Sequence, residues 1–233
     1  MIKAPYFLML AAAALALSAA VSPAHQGAAQ RDWTQNVART PEGGFRMGNP
    51  NAPVKVIEFL SLACPHCAAF SAESGTSLHR DYVRSGRVSI EYRNIIINAP
   101  DVAATVLTRC AAPRAFFDMS HELLRTQEQW LGRAQALTQT QRTQLRGASS
   151  PMEMVQLIVP MIGLDQVAAR HGLTPAAQRT CISSQANFNQ IETMVATARS
   201  QFGVTGTPTF VINGHVANTN VWAGIEPLLR PGG

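Results

Sequence analysis

Residues 52–61, APVKVIEFLS, form an apolar, β-rich run behind the turn signal Asn49-Pro50-Asn51, and just beyond it the periodicity changes. Cys64, Cys67 and Phe70, continued by Leu78 and Tyr82, recur at helical intervals up to a stop at Ser85-Gly86. Pro65 occupies the first helical position, where proline is tolerated best. Residues 87–98, RVSIEYRNIIIN, alternate and end in a triple isoleucine, which predicts a second buried strand. Strand, helix of about 20 residues and strand make a βαβ unit, so the chain must build an α/β architecture with a parallel pair. Both cysteines fall at its first strand-to-helix corner.

From Asp101 to Phe202 the pattern is helical, broken at Pro113, Gly147 to Pro151, Gly163, Gly172 to Pro175 and Gly203. TPTFVINGHVA at 207–217 then reads as a hairpin with Asn213-Gly214 as its type I′ turn, and a last helix is predicted near Val221 to Leu229. The expected organisation is an α/β core in two parts, 45–99 and 203–230, interrupted by a helical insertion over 100–202. Residues 25–44 read as a flexible N-terminal segment and 231–233 as a loose tail.

A CxxC pair means different things in reducing and oxidising compartments, so the N-terminus matters. Lys3 precedes an almost unbroken apolar run from Tyr6 to Val21, then Ser22-Pro23-Ala24. This is a signal peptide pattern over 1–24, with cleavage after Ala24 or Ala20; an uncleaved anchor is the alternative. The expected product is exported, periplasmic, and in surroundings where disulfides persist. Lys3 and Lys55 are the only lysines, and the net charge of +5 comes from scattered arginines without a basic run, so nothing favours nucleic acid.

At a helix N-terminus, unpaired N–H groups and the macrodipole favour a Cys64 thiolate by about 1 to 2 kcal/mol, or roughly one pKa unit. His66 can add a donor or a positive charge. Cys67, one turn on, is placed to close a disulfide with Cys64 or to resolve a mixed disulfide formed there. Stabilising the thiolate stabilises the reduced form and makes the disulfide more oxidising. A zinc clip would need four ligands, and neither Cys110 nor Cys181 belongs to a second CxxC pair; no cofactor is implied. Val54, Val56, Glu58 and Leu60 share one strand face, which puts the Glu58 carboxyl on an apolar side and suits it to exchange a proton with Cys67; a solvated residue on a strand edge is the alternative.

EFLSLACPHC at 58–67, the helical block, and GVTGTPTFVINGH at 203–215 together resemble the DsbA family of periplasmic thiol:disulfide oxidoreductases, a thioredoxin fold with an inserted helical domain. The resemblance implies that Cys64 is the exposed nucleophile, Cys67 its buried partner, and Pro65 and His66 the residues that tune the potential. It implies that Glu58 is the family's buried acid and that Thr207-Pro208 is its cis-proline loop, where local reading alone gives an ordinary trans turn. The best-known DsbA oxidases carry valine before this proline. Threonine is shared with related isomerases, so the exchange direction stays open.

An oxidase that donates its disulfide to exported proteins with free thiols, working as a monomer and reoxidised by a membrane thiol oxidase, is the reading the resemblance favours. An isomerase or reductase of the same fold, and a binding module with a structural CxxC, are the rivals. Cys110 and Cys181 fall in helical segments near the two ends of the block and are expected to form a structural disulfide there; two buried, unreacted cysteines are the alternative. His121 and His215 belong to no motif and read as structural or exposed.

Overall fold

The computed structural model describes residues 31–230 together with residues 1 and 2. The expected signal segment beyond residue 2, residues 25–30 and the tail 231–233 lie outside the described residues. Among the described residues, no single helix is long and apolar enough to cross a membrane.

A six-stranded sheet organises the chain in the order β1-β2-β4-β3-β5-β6. These strands are β1 (Val37–Arg39), β2 (Phe45–Gly48), β3 (Val54–Leu60), β4 (Val88–Asn94), β5 (Thr209–Ile212) and β6 (His215–Val216). Only β3 and β4 run parallel, as the predicted βαβ unit requires, and their register sets Glu58 beside Tyr92. On its other side β3 pairs antiparallel with β5, Glu58 opposite Phe210. The β5–β6 turn has Asn213 at φ 49° and Gly214 at φ 87°, the left-handed pair a type I′ hairpin demands. The second strand is shorter than expected. It ends at Asn94, and the isoleucines that follow are loop residues, with the Ile95 N–H donating to the Leu60 carbonyl at 2.7 Å.

The expectation of a flexible segment over 25–44 needs correction for its second half. Asp32 caps a single 3₁₀ turn over Trp33–Gln35, and β1 then adds an edge strand to β2. Trp33 lies where a Cβ on Gly86 would come within 2.6 Å of the indole, and Gly86 sits at φ 80°. The glycine that stops the helix therefore also receives the tryptophan. Sequence polarity hid this strand, because an edge strand of three residues carries no long apolar alternation.

Helix α1 (Pro65–Ser77) continues without a break into a π-helical turn over Leu78–Val83, so the predicted long helix is present but rewound in its last turns. Helices α2 (Ala99–Cys110), α3 (Pro113–Arg125), α4 (Gln127–Gln135), α5 (Gln139–Arg146), α6 (Pro151–Met161), α7 (Leu164–Arg170), α8 (Pro175–Ile182) and α9 (Gln185–Phe202) all fall between β4 and β5. Cys67 and Phe70 of α1, Val56, Ile90 and Tyr92 of the sheet, and Phe116, Phe117 and Leu123 of α3 share one apolar core. The C-terminal half of α9 leaves that core for the opposite sheet face, where Ala198 meets Phe59, Ile95 and Val211. The N-terminal half of α9 stays with the main core through Phe188 and Ile191, so this one helix serves both sides. A short helix α10 (Trp222–Ile225) and a 3₁₀ turn close the chain beside α1, with Trp222 edge-on to Phe70.

Candidate active site

Cys64 is the N-cap residue of α1, in extended conformation at φ −85° and ψ 122°, with Pro65 at the first helical position. The loop that delivers it is pinned from below by two residues outside the motifs of the sequence analysis. Asp101, fully buried in the first turn of α2, accepts from the Ser61 hydroxyl at 2.6 Å and the Leu62 N–H at 3.1 Å. Burial pushes its carboxyl up to about 6, against the pull of these hydrogen bonds. Gln127 donates its side-chain amide to the carbonyls of Leu62 at 2.8 Å and Cys64 at 3.0 Å. The Asn98-Ala99-Pro100-Asp101 helix start was the available signal for Asp101, whereas nothing local marks Gln127.

Cys64 and Cys67 are both free thiols. Cys64 is 6% exposed and Cys67 0%, which corrects the expectation of an exposed nucleophile: both thiols are buried, Cys64 the less completely. The cause is the loop above it: Thr207-Pro208 is a cis peptide bond, and Cys64 Sγ lies 3.2 Å from the Thr207 carbonyl oxygen, across 143 residues of sequence. The Cys64 thiol is lowered to about 5, first by the hydrogen bond from the Cys67 side chain, then by the Thr207 side chain and the N–H groups of Cys67 and His66, with partial burial opposing them. His66 thus contributes through its backbone. Its ring is exposed. Cys67 is driven strongly the other way by burial. One thiolate and one thiol follow from the same corner.

Glu58 is 1% exposed, and its Oε2 has no hydrogen-bond partner among the described residues. The solvated alternative is excluded. Burial raises the carboxyl to about 8, and the influence of Glu58 on both Cys67 and Tyr92 places the three side chains together. A carboxyl whose folded value is raised binds a proton the unfolded chain would release, so its cost to stability is absent below the ordinary value of 4.5, grows with pH and saturates above about 8. Glu58→Gln is therefore expected to leave the melting temperature of the reduced protein unchanged at pH 4 and to raise it by roughly 5 to 10 °C at pH 8. A thermal melt series across that range checks it, and equal melting temperatures at pH 8 would contradict the buried charge.

Cys110 and Cys181 are joined in a disulfide between the end of α2 and α8, with Cα atoms 6.0 Å apart. His215 is exposed on β6, and His121 is part-buried against the core beside α1. No group of three or more histidine, cysteine or acidic side chains that could hold a metal occurs among the described residues.

The family model described as thioredoxin matches residues 40–229. The chain belongs to the thioredoxin family. A crystal structure of a protein-disulfide isomerase from Novosphingobium aromaticivorans is 30% identical to it, with a TM-score of 0.73, and the match covers 79% of this chain and 94% of that one. The Wolbachia pipientis alpha-DsbA1 structure, at 21% identity and TM-score 0.59, shares the fold over 78% of each chain. The architecture is thus the DsbA-like one, a thioredoxin fold carrying a helical insertion. A curated Rickettsia bellii relative, provisionally named a protein-disulfide oxidoreductase, is 24% identical over 179 residues. The chain covers 58% of that relative's length, and 32% of the length of a second relative from Rickettsia typhi.

Proposed function

We propose that this chain is an exported thiol:disulfide oxidoreductase that works as an oxidase, passing a Cys64–Cys67 disulfide to proteins with free thiols. The observation that carries the reading is the asymmetry of the pair: a Cys64 thiol lowered to about 5 beneath the Thr207 carbonyl, next to a Cys67 thiol that burial keeps protonated. A substrate thiolate attacks Cys64 Sγ, the Cys64–Cys67 bond breaks, and its electron pair leaves on Cys67, which takes up a proton. A second substrate thiolate then attacks the substrate sulfur of the mixed disulfide and releases Cys64 as a thiolate. A leaving thiol of low pKa speeds this last step and makes the reaction run toward substrate disulfide. Glu58, protonated across neutral pH by its burial, is the proton partner of Cys67. The Thr207 carbonyl, level with Cys64, offers an extended substrate segment a backbone acceptor.

Export to the periplasm, action as a monomer and reoxidation by a membrane thiol oxidase complete this reading, on the strength of the apolar N-terminal run and the DsbA-like architecture. The likeness to the Novosphingobium protein-disulfide isomerase and Thr207 before the cis-proline favour a second reading, a disulfide isomerase. Oxidation of fully reduced ribonuclease, refolding of scrambled ribonuclease and reduction of insulin separate the two. The oxidase reading expects the first to be fast and the other two weak. Efficient refolding of scrambled substrate by the reduced protein would overturn it in favour of isomerisation.

A further inference from the structure

Glu58 and Cys67 are sealed from water at 1% and 0% exposure, yet every turnover in the proposed function moves a proton at Cys67. The proton needs a way through the protein. Beside Glu58 in the parallel register stands Tyr92, 3% exposed, on the same apolar sheet face. Its hydroxyl lies 3.2 Å from Nε2 of His121, which is carried on α3. His121 is part-buried, and it lines a groove of about 920 Å³ between α1 and the α3–α4 corner, bordered by Ala69, Ala72 and the exposed Asp118. Exposure thus rises step by step from Glu58 through Tyr92 and His121 to Asp118, and each side chain before the last can accept and release a proton.

We propose that Tyr92 and His121 form a proton conduit that connects Glu58 with solvent in the groove between α1 and α3. This rests on the reading of Glu58 as proton partner of Cys67. When the disulfide opens, the Cys67 thiolate takes the Glu58 proton, and a turn of the Glu58 side chain brings its carboxylate within reach of the Tyr92 hydroxyl, whose proton it takes. Tyr92 takes one from Nε2 of His121, to which it is already hydrogen-bonded, and the imidazole is refilled from solvent. One solvent proton enters and one thiol forms. Closing the disulfide runs the same chain in reverse.

The surroundings suit the task. His79, from the π-helical turn, stands with its ring centre 5.0 Å from that of His121, and its Nε2 is buried without a partner among the described residues. Burial and the nearby His79 push His121 down to about 3, so it stays a neutral imidazole, the form that can release a proton from one ring nitrogen while gaining one at the other. On α3 itself Glu122 is occupied by Arg170 at the end of α7 and by His171 just past it, and from β5 the residue beside Glu58 is Phe210. Phe117 packs against the Tyr92 ring, with centroids 4.8 Å apart, so the ring position survives loss of the hydroxyl.

The test measures reduction of the disulfide form of the full chain by a dithiol peptide at pH 7, followed by tryptophan fluorescence in H₂O and D₂O. Tyr92→Phe and His121→Gln, neither of which can pass a proton, are expected to slow the reaction roughly tenfold and enlarge the solvent isotope effect, while the Cys64 titration stays in place. His121→Gly is expected to be slow and to recover speed when imidazole is added, because the groove admits it. A purely structural role would move the melting temperature without isotope effect or rescue. Wild-type rates and isotope effects in Tyr92→Phe and His121→Gln, with Glu58→Gln slow, would overturn the conduit alone. A Glu58→Gln variant as fast as wild type would overturn the proton-partner reading and the conduit with it.

Discussion

Cys64→Ser is expected to abolish disulfide transfer, lowering the rate by on the order of a thousandfold or more, as removal of a covalent nucleophile does. Cys67→Ser is expected instead to leave Cys64 able to attack but unable to resolve, so that mixed disulfides with substrate accumulate and can be isolated. The contrast follows from geometry: Cys64 caps α1 beneath Thr207, and Cys67 is closed off one turn below. The same variant gives the Cys64 titration an unobstructed signal, since Cys67→Ser leaves one thiolate to absorb. In wild-type protein its midpoint should lie near 5, so that at pH 7 roughly 99% of Cys64 is thiolate. In Cys67→Ser a hydroxyl, a better donor than a thiol, takes over the largest of the lowering influences, so the midpoint should stay well below the ordinary 9.0. A wild-type midpoint at 8 or above would contradict the oxidase assignment.

The sign of the pH dependence is fixed by the direction of this shift. A thiol lowered in the folded, reduced protein contributes stability that is fully present above its ordinary value of 9.0 and is lost as pH falls through about 5. The disulfide form has no such group. Reduced protein should therefore gain on oxidised protein as pH rises from 5 to 9, which is the thermodynamic statement that the disulfide is a good oxidant in that window.

Loss of the second disulfide is expected to weaken the fold without touching the chemistry. Cys110 and Cys181 are 71 residues apart in sequence, and closing a loop of that length restrains the unfolded chain by about 4 kcal/mol in the chain-entropy model. The Cys110→Ser, Cys181→Ser double variant should melt roughly 8 to 16 °C lower. Asn187, whose amide donates to Cys110 Sγ at 3.1 Å and to the Cys181 carbonyl at 3.0 Å, still bridges α9 to α8 in the variant and holds the loss below that ceiling. Oxidation by Cys64 should persist, because its pinning residues Asp101 and Gln127 lie elsewhere on α2 and α4. An unchanged melting temperature, or two alkylatable thiols in the unfolded, oxidised protein, would count against the bond.

What residue order alone determined here is what local periodicity and local chemistry can carry. The switch from β to helical spacing at Cys64, proline at the first helical position and the period of two that turns Glu58 inward are read within a few residues of one another. Asn213-Gly214 announces its turn just as locally. The rest was decided by contacts between residues far apart, for which sequence has no short-range signature. Cys64 meets Thr207 across 143 residues and Gln127 across 63, and Tyr92 meets His121 across 29. The Trp33 indole finds Gly86 only once β1 has joined the sheet edge. Tertiary packing also set the Cys67 and Thr207 side chains against Cys64, because a side chain's effect on a thiol depends on where it points, and only the closed fold sets that direction.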